Sequence, residues 1–169
     1  GDGADRVDAG LALGGISASS GIGLPITGDD IPAAPAGSEF QLGLTLNGSS
    51  GNDLFYSGGG NDIFNGSFDT DTVDFVSSPA GITADLTAGT ATGMGADILS
   101  DIQNVNGSLF DDSLTGSAID NTLFGDDGDD ILVGLAGNDT LTGEIGDDDI
   151  TGGTGNDTEP GGDGDDPSH

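Results

Sequence analysis

The sequence contains no cysteine and no lysine, and its single basic side chain is Arg6. Without cysteine the chain can form neither a disulfide framework nor a thiolate metal site. Nucleic acids and anionic membrane surfaces attract positive charge, so neither is expected as a partner. No run of about 20 apolar residues is present, so direct membrane insertion is not predicted either.

Side chains that commonly carry catalysis are also scarce. The only histidine is the terminal residue, His169, which leaves a serine nucleophile without a base. The chain has neither the H-E-x-x-H motif of zinc proteases nor the G-x-S-x-G motif of serine hydrolases. We therefore predict that this chain is not an enzyme by itself.

Glycine and aspartate are present in large excess. The 169 residues include 34 glycines, and 31 acidic residues against one basic residue give a formal net charge of -30. Such acidic chains are often disordered. All the acids except Glu39, Glu144 and Glu159 are aspartates, however, and aspartate favours loops and cation coordination. The composition therefore indicates bound cations.

A nine-residue repeat fills most of the chain. Seven consecutive blocks run from 107 to 169, three more cover 48–74, one covers 92–100, and 1–8 match part of another. Positions 1 to 6 of each block are rich in Gly, Asn and Asp, which favour sharp turns, and positions 7 to 9 form a short strand with an apolar centre. We predict an all-β fold, a parallel β-roll in which two blocks form one coil. Successive coils would be about 4.8 Å apart.

The remaining residues suggest the domain organisation. Residues 1–47 are predicted to be an irregular segment rich in Gly, Ala, Ser and Pro, with a strand at 39–46 that covers the open end of the roll. The roll itself is predicted over 48–169, with irregular coils at 75–91 and 101–106.

The repeat turns would place carboxylates roughly 5 Å apart, where they repel each other unless a cation lies between them. Calcium suits such turns, because it takes about six to eight oxygen ligands, including backbone carbonyls, in loose geometry. Magnesium demands stricter geometry, and zinc lacks its usual Cys and His ligands. We therefore expect several Ca2+ ions between alternate turns, such as 125–130 with 143–148 and 134–139 with 152–157.

The residues predicted to bind calcium occupy the turn positions of the repeat. The aspartates at position 6 are Asp53, Asp62, Asp71, Asp97, Asp112, Asp130, Asp139, Asp148, Asp157 and Asp166. The set is completed by turn residues, which are Gly58, Gly60, Gly125, Asp126, Gly128, Gly137, Gly146, Gly153, Gly155, Gly162 and Gly164. Three blocks depart from the pattern in their turns: 116–124 has Asn121 at position 6 and Ile119 at position 4, 107–115 has Phe110 at position 4, and 66–74 has Asp69 at position 4. The last two blocks keep their turns but carry Glu159 and Ser168 at position 8. We expect a weak site at Asn121.

These blocks resemble the RTX, or haemolysin-type, calcium-binding repeat G-G-x-G-x-D-x-U-x. The resemblance implies a parallel β-roll, folding driven by calcium, and export by a type I secretion system. It also implies a location outside the cell, at the cell surface or on the periplasmic side.

Two kinds of function are consistent with these features. The first is a calcium-binding structural module of an extracellular, type I secreted bacterial protein, which folds when calcium binds. The alternative is the C-terminal module of a secreted protease, lipase or epimerase, or a surface-layer, adhesin or complex-associated subunit. Calcium is the one partner that the residues indicate, besides a larger parent protein or surface assembly.

Overall fold

The described part of the chain is built from β-strands. A computed structural model describes residues 16–19, 26–27 and 43–164. In chain order, the strands of these residues are β1 (Ile16–Ser19), β2 (Ile26–Thr27), β3 (Leu44–Ser49), β4 (Leu54–Tyr56), β5 (Ile63–Ser67), β6 (Thr72–Asp74), β7 (Thr83–Asp85), β8 (Thr90–Thr92), β9 (Ala96–Ser100), β10 (Asn104–Asn106), β11 (Ser113–Thr115), β12 (Thr122–Asp127), β13 (Ile131–Ala136), β14 (Thr140–Ile145), β15 (Asp149–Thr154) and β16 (Gly162–Asp163). None of the described residues forms a helix that is long and apolar enough to cross a membrane.

The strands form two sheets. One sheet has the order β1-β3-β5-β9-β8-β7-β11-β13-β15, and the other has the order β16-β14-β12-β10-β6-β4-β2. Neighbouring strands are parallel except around β8, which is antiparallel to both β7 and β9. From β9 onward the chain alternates between the sheets strand by strand, so the predicted parallel β-roll is confirmed.

The core is a ladder of one apolar side chain per strand, taken from position 8 of each block. Its members are each at most 5% exposed, and they are Phe55, Phe64, Val73, Leu99, Leu114, Leu123, Leu132, Leu141 and Ile150. Equivalent residues pair directly between coils, as Leu123 does with Leu141 and Leu132 does with Ile150. The two sheets meet across the ladder, where the rings of Phe55 and Phe64 are 5.7 Å apart. Because each coil contributes only two large side chains, the core is thin.

The prediction for the N-terminal segment needs correction. Strands β1 and β2 lie inside the segment predicted to be irregular, yet they pair with β3 and β4 of the roll. The described part of the strand predicted at 39–46 begins β3, which pairs with β1 on one side and β5 on the other. It is therefore an inner strand and does not cover the end of the sheet. The physical reason is that 39–47 keeps the nine-residue spacing, with Leu44 at position 6 and Leu46 at position 8.

The two predicted interruptions differ in structure. Residues 75–91 contain a turn followed by β7 and most of β8, and the chain reverses at Gly89, whose φ is 67°. Residues 101–106 contain a shortened turn and then β10, which stacks regularly between β6 and β12. The first interruption therefore adds an antiparallel strand to one sheet, whereas the second only shortens a turn.

Candidate metal sites

The aspartates at position 6 are buried at the two edges of the roll, where the turns meet the strands. Asp53, Asp71, Asp130 and Asp139 are each at most 2% exposed. The alternation of a strand explains this burial, because positions 6 and 8 point to the same face and position 8 points into the core. Burying a carboxylate is costly unless its oxygens are satisfied.

In most of these carboxylates, one oxygen is satisfied by the coil before it. The amide of Asp112 donates to Oδ1 of Asp130 at 2.7 Å, and the amide of Asp130 donates to Oδ1 of Asp148 at 2.9 Å. On the opposite edge, the amide of Asn121 donates to Oδ1 of Asp139 at 2.8 Å. The same bond joins the amide of Asp53 to Asp71 and the amide of Asp62 to Asp97. These bonds link coils that are adjacent in space.

The second carboxylate oxygen is often buried without any donor. The atoms in this condition include both side-chain oxygens of Asp53 and the Oδ2 atoms of Asp71, Asp97, Asp130 and Asp139. A buried charged oxygen without a partner costs more than about 1–3 kcal/mol. So many such atoms at equivalent positions suit the binding of cations.

A backbone carbonyl from the next coil faces the same place. A Cβ added to Gly134, at position 1, would lie 2.5 Å from Oδ2 of Asp139 and 2.6 Å from the carbonyl oxygen of Gly152. Gly125 is placed in the same way between Asp130 and the carbonyl of Gly143. Glycine at position 1 therefore leaves a space that is lined by a carboxylate and a carbonyl.

These oxygens suit calcium better than other metals. Among the described residues, no three His, Cys, Asp or Glu side chains come together as a metal site. A cation in the turns must therefore take many of its ligands from backbone carbonyls, which calcium accepts and zinc does not.

Left-handed residues shape the turns. Position 4 has φ of 125° at Gly60, 140° at Gly128, 135° at Gly137, 148° at Gly146 and 144° at Gly155. At position 2 several side chains adopt this conformation, including Asp126 at 72°, Leu135 at 77° and Glu144 at 82°. Each costs roughly 1–2 kcal/mol for a residue other than glycine, which indicates that the turn geometry is imposed by its surroundings.

Burial also changes the proton affinity of the carboxylates. Burial raises the pKa of Asp130 to about 7, with a further increase from the negative charges of Asp112 and Asp148, against the lowering effect of the bond from the amide of Asp112. Burial raises the pKa of Asp97 to about 6. The pKa values of Asp53, Asp71 and Asp139 are raised for the same main reason. A cation in the turns would remove the repulsion that favours the protonated forms.

The RTX calcium-binding nonapeptide repeat family matches the chain in four copies, over residues 45–73, 106–141 and 124–159. The chain belongs to the RTX repeat family. RTX repeats bind Ca2+ and form a structural module that is typical of secreted proteins. No curated protein matches the chain.

Most predicted ligand positions in the RTX turns share the arrangement described above. The turns 125–130 and 143–148 stack directly, with Asp127 paired to Ile145. The turns 134–139 and 152–157 stack in the same way, with Leu135 paired to Gly153. Asp157 accepts the amide of Asp139 at 3.0 Å. Gly153 and Gly162 are left-handed, with φ of 100° and 121°. Asp166 lies outside the described residues, and Gly164 is the last residue inside them.

Two predicted residues stand apart from this arrangement. Gly58 has open space where a Cβ would be and is not left-handed, so the structure gives no reason for glycine there. Asp112 has donors for both of its oxygens: Ser108 donates its amide to Oδ2 at 2.5 Å and its hydroxyl to Oδ1 at 2.8 Å. Asp112 also accepts the amide of Ile82 at 2.7 Å.

Sequence reasoning missed a second column of side chains, at position 5 of the RTX repeat. Asp120 accepts the amide of Asn138 at 2.7 Å, and Asn138 accepts the amide of Asn156 at 3.1 Å. Asp129 accepts the amide of Asp147 at 3.0 Å in the same way. The signal was available, because position 5 holds Asn or Asp in most blocks. These exposed side chains tie each turn to the one that follows it.

Gln103 was also missed. The turn between β9 and β10 is short, and the amide oxygen of Gln103 accepts the amide of Asp71 at 2.7 Å, as a position 6 aspartate does elsewhere. Nothing in the nine-residue pattern marks Gln103, because the block that contains it is incomplete.

Proposed function

We propose that this chain is a calcium-dependent structural module of a secreted, extracellular protein, and that it folds when calcium binds in the RTX turns. One observation carries the proposal: buried carboxylate oxygens without donors recur at equivalent positions on both edges of the roll. Calcium would supply the positive charge that these oxygens lack.

The binding residues in this proposal are the aspartates at position 6, apart from Asp112, together with backbone carbonyls of the glycine-rich turns. The pairs of turns are those that stack, such as 125–130 with 143–148. Calcium would neutralise the repulsion between carboxylates and would hold the left-handed turn residues in place.

The charge of the chain explains why folding would depend on calcium. At a net charge of -30, the compact state is opposed by self-repulsion, and the thin ladder of apolar residues offsets only part of it. Binding free energy would then be folding free energy. Inside a cell, where calcium is scarce, the chain would stay unfolded and suitable for type I export. Outside, it would fold.

Circular dichroism during a calcium titration tests the proposal. We expect a chelated sample to lack β-structure and to gain it when calcium is added, while magnesium at the same concentration has much less effect. A chelated sample that is already rich in β-structure would contradict the proposal.

A matched pair of variants tests the residues. Asp139→Asn removes a carboxylate whose Oδ2 is buried without a donor, so we expect a higher calcium midpoint. Asp85→Asn removes the same charge from the hairpin outside the regular turns, and we expect a midpoint close to that of the wild type. Equal shifts in the two variants would mean that total charge, and not the turn site, controls binding.

A further inference from the structure

The turns 107–112 and 116–121 differ from the other complete repeat turns of the described chain. They contain no left-handed residue, whereas each of the others has at least one at position 2 or 4. Position 4 is Phe110 in the first and Ile119 in the second, and large or β-branched side chains disfavour left-handed backbone. At positions 2 and 4, these turns therefore follow a different backbone path from the turns with buried, donor-free carboxylate oxygens, although Gly107 keeps the position 1 contacts with Asp112 and Gly125.

A serine at position 2 satisfies the side chain at position 6 in both turns. Ser108 donates its amide and hydroxyl to Asp112, at 2.5 Å and 2.8 Å. Ser117 does the same to Oδ1 of Asn121, at 2.7 Å and 3.1 Å. Ser108 is fully buried. The protein itself therefore supplies hydrogen-bond donors to the oxygens that a cation would otherwise bind.

The neighbouring positions on both edges are also neutral or already satisfied. On one edge, Gln103 and Asn121 take the places of aspartates between Asp71 and Asp139, and the side-chain amide of Asn121 donates to the carbonyl of Gln103 at 2.7 Å. On the other edge, β7 and β8 separate the turn of Asp97 from that of Asp112.

Acidic residues are also fewer around these two turns than in the part of the chain that follows them. Residues 75–124 contain six of the 31 acidic residues, whereas 125–169 contain fourteen. Fewer carboxylates need a counter-charge where the turns are satisfied by serine.

We propose that the turns 107–112 and 116–121 bind no calcium, and that they divide the ions of the roll into two separate arrays. The upstream array uses Asp53, Asp62, Asp71 and Asp97, and the downstream array begins at Asp130. This inference rests on the proposed calcium-dependent function, and it removes Asp112 from the predicted ligands.

Calcium stoichiometry of the full chain tests the proposal, measured by equilibrium dialysis and elemental analysis. Asp112→Asn is expected to bind as many ions as the wild type, and Asp130→Asn at least one ion fewer. Asparagine at residue 112 should be tolerated, since Asn121 occupies the matching position of the next turn. If Asp112→Asn loses an ion as Asp130→Asn does, the division into arrays is overturned. If the wild type binds no calcium, the proposed function fails, and the division fails with it.

A gain of binding provides a second test. Ser108→Gly combined with Phe110→Gly restores glycine at positions 2 and 4 beside Asp112, so this variant should bind one ion more than the wild type. Leu109→Gly is the control, because it adds glycine at the variable position 3 of the same turn and should leave the count unchanged. An unchanged count in a folded double variant would show that Ser108 and Phe110 do not exclude the ion, and would overturn the proposal.

Discussion

At the scale of single residues, the carboxylates at position 6 have two oxygens with different surroundings. Oδ1 of Asp130 accepts a backbone amide of the preceding coil, whereas Oδ2 has no donor. Protons and calcium must therefore compete for the same buried group.

The stability of a metal-free roll would depend on pH through the raised pKa values of its carboxylates. Without calcium, the pKa of Asp130 is about 7 in the roll, above the ordinary value of 3.8. Because its pKa is raised, Asp130 contributes most to the stability of the metal-free roll below pH 3.8. That contribution is lost as the pH rises towards 7. The chelated chain is expected to be unfolded, with aspartates of ordinary pKa. The calcium midpoint should therefore stay nearly constant from about pH 7.5 to about pH 5.5 and rise below about pH 4.5, with proton release on binding there.

Isothermal titration calorimetry in buffers of different ionisation enthalpy measures that proton release. Asp130→Asn should release fewer protons than the wild type. A calcium midpoint that already rises between about pH 7.5 and about pH 5.5 would mean that the metal-free chain keeps the folded roll, with its raised pKa values.

The glycine at position 1 offers a steric test. Gly134→Ala would place a methyl group against Oδ2 of Asp139 and the backbone carbonyl of Gly152, neither of which can move freely. We expect a loss of about 1–3 kcal/mol in the free energy of unfolding at saturating calcium. Gly58→Ala is the control, because no atom lies within 4 Å of its added Cβ. Its free energy of unfolding should change by less than about 0.5 kcal/mol.

Sequence predicted the residues of the turns more reliably than their roles. The regular spacing identified every aspartate at position 6, because the repeat places each of them at the same point before a strand. It could not separate Asp112 from Asp130, since that difference depends on a hydrogen bond from Ser108 that forms only in the folded turn. The same holds for Gly58, whose lack of close neighbours is a property of packing.

At the scale of strands and turns, the roll tolerates large departures from its repeat. Strand β8 runs antiparallel within an otherwise parallel sheet, and β10 keeps its pairing although its turn is shortened. The sequence predicted that 75–91 and 101–106 would be irregular, but not what replaces the regular coil. Short segments with alternating apolar residues do not specify the direction in which a strand pairs.

The shortened turn predicts an effect that does not depend on calcium. Gln103→Ala would leave the buried amide of Asp71 without its acceptor. We expect a loss of about 1–3 kcal/mol in the free energy of unfolding. The loss should be similar at two saturating calcium concentrations that differ tenfold, as measured by urea denaturation. A deficit that disappears at the higher concentration would instead assign Gln103 to metal binding.

At the scale of the whole molecule, the negative charge opposes folding, and the small apolar core offsets only part of that repulsion. The core clusters around one side chain per strand, and the net charge of -30 is spread over 169 residues. Removing calcium should therefore expand the chain and not merely loosen it.

Small-angle X-ray scattering measures this expansion. With calcium, we expect a radius of gyration somewhat above the roughly 15 Å of a spherical protein of this length, because a roll is elongated. In chelator it should approach roughly 40 Å, the value of an unfolded chain of this length. A chelated chain that stays as compact as the calcium-bound one would contradict the expected effect of charge repulsion.

The two columns of turn side chains link each coil to both of its neighbours. Position 5 side chains accept amides of the following coil, while position 6 carboxylates accept amides of the preceding coil. A newly added coil therefore completes the one before it and leaves its own bonds to be completed by the next. Folding of this kind is cooperative between neighbouring coils, so the first pair of coils forms less easily than each later coil adds to it. Once one pair of coils has formed, the roll can extend along the chain one coil at a time.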